Sequence, residues 1–270
     1  MTRRLALAMF LLACCALSAE AQTCSLSFTN MNFGTYTGTL LDGTATGKVI
    51  CAGSWDIPMD AGMGVGATET TRYMTGPGGA ELAYQVFQNS ARTTNWGNTS
   101  TTEVTGTGNA TVTAYGQIAA GQYAAPGTYT DTLHTATTAF TVTATIVKDC
   151  GVSATALVFG NYTGAVNNST STVTVTCTNT TTYTVGLSAG LATGATVTTR
   201  KMQDGAALLN YALFSNSGRT INWGNTAGTN WVAGTGSGVA QPLTVYGQVA
   251  AGQFVTPGSY TDTITATVTY

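Results

Sequence analysis

Charge is what this sequence has least of. Asp, Glu, Lys and Arg make up 7% of its 270 residues, against about 25% in an ordinary soluble domain. The nine basic residues are too few and too scattered to form a nucleic-acid-binding patch. Histidine occurs once, at His134, and there is no C-x-x-C, so the usual zinc ligand sets are missing. No segment repeats its apolar residues at helical spacing. Serine-nucleophile and phosphate-loop motifs are also absent. Glycine runs such as Gly62-Met63-Gly64-Val65-Gly66 lack the strand–helix context of a dinucleotide site. The sequence therefore predicts no catalysis, no cofactor and no metal.

What is present is Thr, Gly, Ala and Asn around short alternating apolar runs, which predicts an all-β protein. Low charge leaves little repulsion between exposed sheet edges, a property suited to a chain that assembles. The one long apolar stretch lies at the start. Arg3 and Arg4, then Leu5 to Leu17, then Ala19-Glu20-Ala21 predict a secretory signal peptide over 1–21, cleaved before Gln22. A lipoprotein site at Cys14 is the weaker alternative, because its apolar core would be short. The chain is thus expected to be exported, with no transmembrane segment after cleavage.

Cys14 and Cys15 would leave with the signal. Cys24 and Cys51 are 27 positions apart, as are Cys150 and Cys177. In an exported chain this predicts bridges 24–51 and 150–177. Each closes a loop worth about 3–4 kcal/mol in the chain-entropy picture.

The equal spacing belongs to a larger repeat. Cys24 and Phe33-Gly34-Thr35-Tyr36-Thr37-Gly38 return as Cys150 and Phe159-Gly160-Asn161-Tyr162-Thr163-Gly164. Arg72-Tyr73-Met74 returns as Arg200-Lys201-Met202, and Asn95-Trp96-Gly97-Asn98 as Asn222-Trp223-Gly224-Asn225. Tyr115-Gly116-Gln117 returns as Tyr246-Gly247-Gln248, and the run from Pro126 to Thr132 as Pro257 to Thr263. Asp131 and Asp262 recur within that run, which suits a structural hydrogen bond. Two modules, 22–148 and 149–270, follow.

The modules differ in what lies between them. Over 139–147, Phe140, Val142, Ala144 and Ile146 alternate with threonines, giving an extended strand one apolar face. This strand follows the Pro-Gly-x-Tyr strand of the first module. The second module has none after its own, so Tyr260, Ile264, Ala266, Val268 and Tyr270 are expected to lie on a final strand bordering an open place in the sheet.

These motifs, in one order and present twice, resemble the spore coat protein U domain family found in subunits of archaic (Csu-type) chaperone–usher pili. The resemblance implies two tandem immunoglobulin-like β-sandwiches, the second lacking its last strand. In that family a periplasmic chaperone supplies the missing strand first. After export through an outer-membrane usher, an adjacent pilus subunit replaces it with its own N-terminal extension. Phe140 to Ile146 resembles such an extension, here placed inside the chain. With only Gln22 and Thr23 ahead of Cys24, the chain is expected to accept a strand and not to donate one. That implies a tip subunit serving adhesion and biofilm formation. A spore-coat or cell-surface shell component is the alternative; an outer-membrane β-barrel fits the cysteine-bridged duplication less well. Met63, Val65 and Tyr73 are the candidate surface contacts.

Overall fold

The computed structural model describes residues 24–270, and the expected signal peptide over 1–21 lies outside them. The first sandwich contains β1 (Ser25–Phe28), β2 (Met31–Tyr36), β3 (Leu41–Ile50), β4 (Ser54–Ile57) and β5 (Arg72–Thr75). It continues through β6 (Glu81–Phe87), β7 (Val104–Thr107), β8 (Ala110–Ile118), β9 (Gly127–His134) and β10 (Ala139–Ile146). Hydrogen bonding orders these β1-β3-β8-β6-β5-β9-β10-β2, with β4 and β7 forming a separate ribbon. The second sandwich contains β11 (Cys150–Ala154), β12 (Asn167–Cys177), β13 (Thr182–Leu187) and β14 (Arg200–Asp204). After these come β15 (Ala207–Phe214), β16 (Val232–Thr235), β17 (Gln241–Val249) and β18 (Ala266–Thr269). Its sheets are β11-β12-β17-β15-β14 and β16-β13-β18. Each sandwich has its own apolar core, one around Trp96 and the other around Trp223. Both disulfides are present, Cys24–Cys51 and Cys150–Cys177, and the second joins residues directly opposite on β11 and β12.

The period-two strand between the modules is β10, and it closes the first core. It runs antiparallel to β9, from Ala139 opposite His134 to Ile146 opposite Gly127. On its other side it runs parallel to β2, with Val142 opposite Met31 and Ile146 opposite Tyr36. Phe140, Val142, Ala144 and Ile146 are all buried, and the Phe140 ring stacks on Phe28 with centroids 4.9 Å apart. Burying Phe140, Val142 and Ile146 contributes about 5–9 kcal/mol before ordering costs. That is comparable with the net stability of a whole domain.

The second sandwich corrects one expectation. The final strand read over Tyr260–Tyr270 is a strand only as β18, Ala266–Thr269; Tyr260 and Ile264 lie ahead of it and Tyr270 after it. Residues 157–162, the counterpart of β2, are likewise outside any strand. The reason lies in the first domain. There β2 pairs with β10, and β9 pairs with β10 along its whole length but with β5 only at Thr130. A strand exists by virtue of its ladder. Among the described residues no strand stands at the place of β10 in the second domain, and both neighbours lose the ladder that defines them. The chain after Thr265 instead continues as β18 along β13, with Ala266 opposite Leu187, whereas the first domain turns back over 135–138 to begin β10.

The repeated arginine has a structural use that its sequence position did not disclose. Arg72 and Arg200 are completely buried. Arg72 donates to the carbonyl oxygens of Asp60, Glu69 and Trp96. Arg200 donates to those of Leu187, Ser188, Val197 and Trp223. Burial lowers both pKa values, that of Arg200 to about 10, which leaves Arg200 charged at neutral pH. Each guanidinium thereby ties the long loop before β5 or β14 to the Trp-Gly-Asn segment.

Candidate functional site: the open groove of the second domain

Where β10 lies in the first domain, the second has a groove of about 1080 Å³. Its floor comes from β12, β15 and β17, through residues such as Val173, Tyr211, Leu213 and Val249. One wall is residues 154–162 and the other residues 255–266. The cost of leaving the groove unfilled is visible residue by residue. Met31, Phe33 and Tyr36 are buried, while their counterparts Leu157, Phe159 and Tyr162 are half-exposed. Tyr129 and Leu133 are completely buried, while Tyr260 and Ile264 are half-exposed.

The walls are held in place although they lack their central partner. Tyr162 Oη donates to the Ala250 carbonyl at 2.7 Å and accepts from Gln253 N–H at 3.1 Å. Tyr36 does the same with Ala119 and Gln122 in the first domain. On the opposite wall Asp262 accepts from Tyr211 Oη at 2.7 Å, Leu191 N–H at 2.9 Å and Thr263 N–H at 2.8 Å. Asp131 accepts the matching set from Tyr84, Met63 and Thr132. Gly190 and Gly62 make this possible. Both have positive φ (+92° and +79°), and a Cβ at either would collide with the aspartate carboxyl.

Burial, reinforced by the adjacent carboxylate, raises the phenol pKa values of Tyr84 and Tyr211 far above the ordinary 10. An unfolded chain therefore releases these protons at lower pH than the folded one. This contribution to stability is complete below about pH 10 and falls as pH rises above it. In denaturant titrations the unfolding midpoint is expected to hold between neutral pH and about 9 and to drop steeply beyond 10. Tyr84→Phe should flatten that drop for the first domain; an unchanged alkaline limb would refute the assignment.

Of the candidate surface contacts, Met63 and Val65 are 71% and 84% exposed, and Tyr73 is half-buried against Gly64. Met63 and Val65 lie on the loop ahead of β5, fixed by Met63 N–H to Asp131 and by Val65 N–H to Glu81, and Tyr73 on β5 lies against that loop at Gly64. Tyr270 lies past β18, with its hydroxyl 3.4 Å from Asp149 Oδ1. Sequence reading did not identify the second groove wall, residues 154–162, as such. Its signal was the Phe-Gly-x-Tyr repeat, whose partner strand could not be known from spacing alone.

Two sandwiches in tandem, the first closed by an in-chain strand and the second open at the same place, have the fold of a two-domain chaperone–usher pilus subunit. The chain belongs to the Spore Coat Protein U domain family, whose model matches it twice, over residues 6–135 and 136–267. The second match takes in β10, which the structure seats in the first sandwich. Among solved structures the chain is similar to the CsuC–CsuE chaperone–tip adhesion subunit complex from the archaic Csu pili of Acinetobacter baumannii. That likeness has a TM-score of 0.56 at 15% identity and covers 92% of this chain and 100% of that one. Protein U of Myxococcus xanthus is 40% identical over 87 residues, 32% of this chain and 48% of that protein. The chain thus matches about half the length of that curated relative.

Proposed function

We propose that this chain is a non-enzymatic subunit of an archaic chaperone–usher pilus, and that its second domain accepts a strand from an adjacent subunit. A periplasmic chaperone would hold the groove before assembly, and an outer-membrane usher would exchange it for that subunit. The observation that carries this reading is the groove itself, set beside the filled site of the first domain. The repeat also supplies a register. An incoming strand would run antiparallel to 258–264 and parallel to 157–162. Its alternate apolar residues would oppose Ile264, Asp262, Tyr260 and Gly258, as Phe140, Val142, Ala144 and Ile146 oppose Leu133, Asp131, Tyr129 and Gly127.

Two observations support a tip position, with adhesion and biofilm formation as the role. The strand directly ahead of the second domain is already sealed into the first, so it does not reach into another subunit. The fold also matches a two-domain tip adhesion subunit over nearly the whole chain. Gold-labelled antibody against residues 24–148 is expected to mark one end of each fibre. Label along the shaft would make the chain a repeating subunit instead.

A further inference from the structure

The loop between β8 and the Pro-Gly segment is built the same way in both domains. Gly121 N–H donates to Gly38 and Gly252 N–H to Gly164. The side chain of Gln122 makes a paired hydrogen bond with the backbone of Ala83, and that of Gln253 with the backbone of Asn210. One residue behaves differently. Tyr123 is half-buried, with its ring over Gly38, while its counterpart Phe254 is 96% exposed and nothing packs over Gly164.

The two loops also differ in what stands beside them. The Tyr123 carbonyl accepts Asn179 N–H at 2.9 Å, and Tyr123 backbone lies against Gly238, both in the second domain. Asn179 belongs to the turn after Cys177. That turn has two more residues before Tyr183 than the first domain has between Cys51 and Trp55. It is fastened to the linker by Thr178 N–H to the Asp149 carbonyl at 2.9 Å, and pinned by a 2.6 Å hydrogen bond between Thr178 and Thr181. Only Val147, Lys148 and Asp149 separate β10 from β11, a reach of at most about 14 Å. Ile146 at the end of β10 lies opposite Gly127, where the Tyr123 loop ends. A body tethered to the end of that strand must therefore sit beside the loop.

The same constraint applies to the second domain's groove. A strand filling it in the register above would leave at Gly258, next to the Phe254 loop. We infer that Phe254 and the loop over 250–256 form the seat for the body of the subunit whose strand enters the groove. The partner is a β-sandwich of this same kind. It presents the turn after its second cysteine, with a backbone N–H for the Phe254 carbonyl and an apolar or glycine surface for the ring. This rests on the strand-accepting role proposed above. The ring of Phe254, 96% exposed on a hydrogen-bonded loop, is the apolar surface such a body would cover.

The test uses the full chain in cells that assemble the fibre, with p-benzoylphenylalanine placed at position 254 in one strain and at position 264 in another. After illumination, purified fibres are digested and the cross-links mapped. The probe at 264 should shift the chain to a heavier band joined to the partner's N-terminal strand. The probe at 254 should shift it to a heavier band joined to the partner's turn after its second cysteine. A cross-link from 264 with none from 254, or with one mapping elsewhere on the partner, overturns the docking seat and leaves strand acceptance standing. Failure of 264 to reach any strand overturns strand acceptance and the seat together.

Discussion

A chain carrying Val142→Asp is expected to lose the fold of its first domain while the second is unaffected. Val142 is completely buried between β9 and β2, opposite Asp131 on one side and Met31 on the other. A carboxylate there would stand near the carboxyl of Asp131, and the Arg72 guanidinium is already committed to three backbone carbonyls. Burying an unpaired charge costs several kcal/mol, and like charge adds to it. A domain has only about 5–15 kcal/mol to lose. Phe140→Ala should cost about 3–5 kcal/mol by the usual cavity penalty, a destabilised but folded domain. Thr145→Asp, on the exposed face of the same strand, should lie within about 0.5 kcal/mol of the parent. Limited proteolysis reads the two domains separately. Val142→Asp should give rapid loss of peptides around Trp96 and slow loss of peptides around Trp223. A variant whose first domain resists protease like the parent would show that β10 is dispensable to that core.

The second large effect concerns the open domain. A peptide with the sequence of residues 139–147, added to the full chain, is expected to stabilise the second domain and leave the first unchanged. The groove presents Leu157, Phe159, Tyr162, Tyr260 and Ile264 where β10 meets Met31, Phe33, Tyr36, Tyr129 and Leu133. Each aromatic residue corresponds to an aromatic one, and Met31 and Leu133 correspond to Leu157 and Ile264. At a hundredfold excess over its dissociation constant a ligand adds about 2.7 kcal/mol. For a domain of this size that raises the melting temperature by on the order of 10 °C. The same peptide with Val142→Asp should do nothing. A fragment of residues 149–270 made without peptide or chaperone is expected to aggregate or be degraded, because its half-exposed wall residues leave the core incomplete. No shift with the parent peptide, or an equal shift with its Asp variant, would contradict a strand-shaped site.

Several features of this molecule could be read from residues alone, and each for a local reason. Alternation at Phe140–Ile146, at Val173 and Val175, and at Tyr183, Val185 and Leu187 reports strands, because side chains of a strand face opposite sides in turn. Repetition reports two sandwiches, since one fold encoded twice leaves the same residues at the same spacing. The cysteine pairs, and the recurrence of Asp131 and Asp262, follow from that copying.

What the tertiary structure decided is non-local. Tyr260 and Ile264 carry as clear a strand pattern as Tyr129 and Leu133, yet only the latter lie in a strand. Their own residues do not determine this; a ladder on the neighbouring edge does, and β10 supplies one to a single domain. For the same reason the repeat marks Arg72 and Arg200 without disclosing that they are buried, because the carbonyls converging on each come from separate segments. Tyr123 and Phe254 occupy equivalent places in equivalent loops, yet the Tyr123 ring lies over Gly38 with the second domain against its backbone, while Phe254 is exposed. Sequence determined the strands, the duplication and the bridges. Packing between distant segments determined which of two like grooves is filled and which stays open.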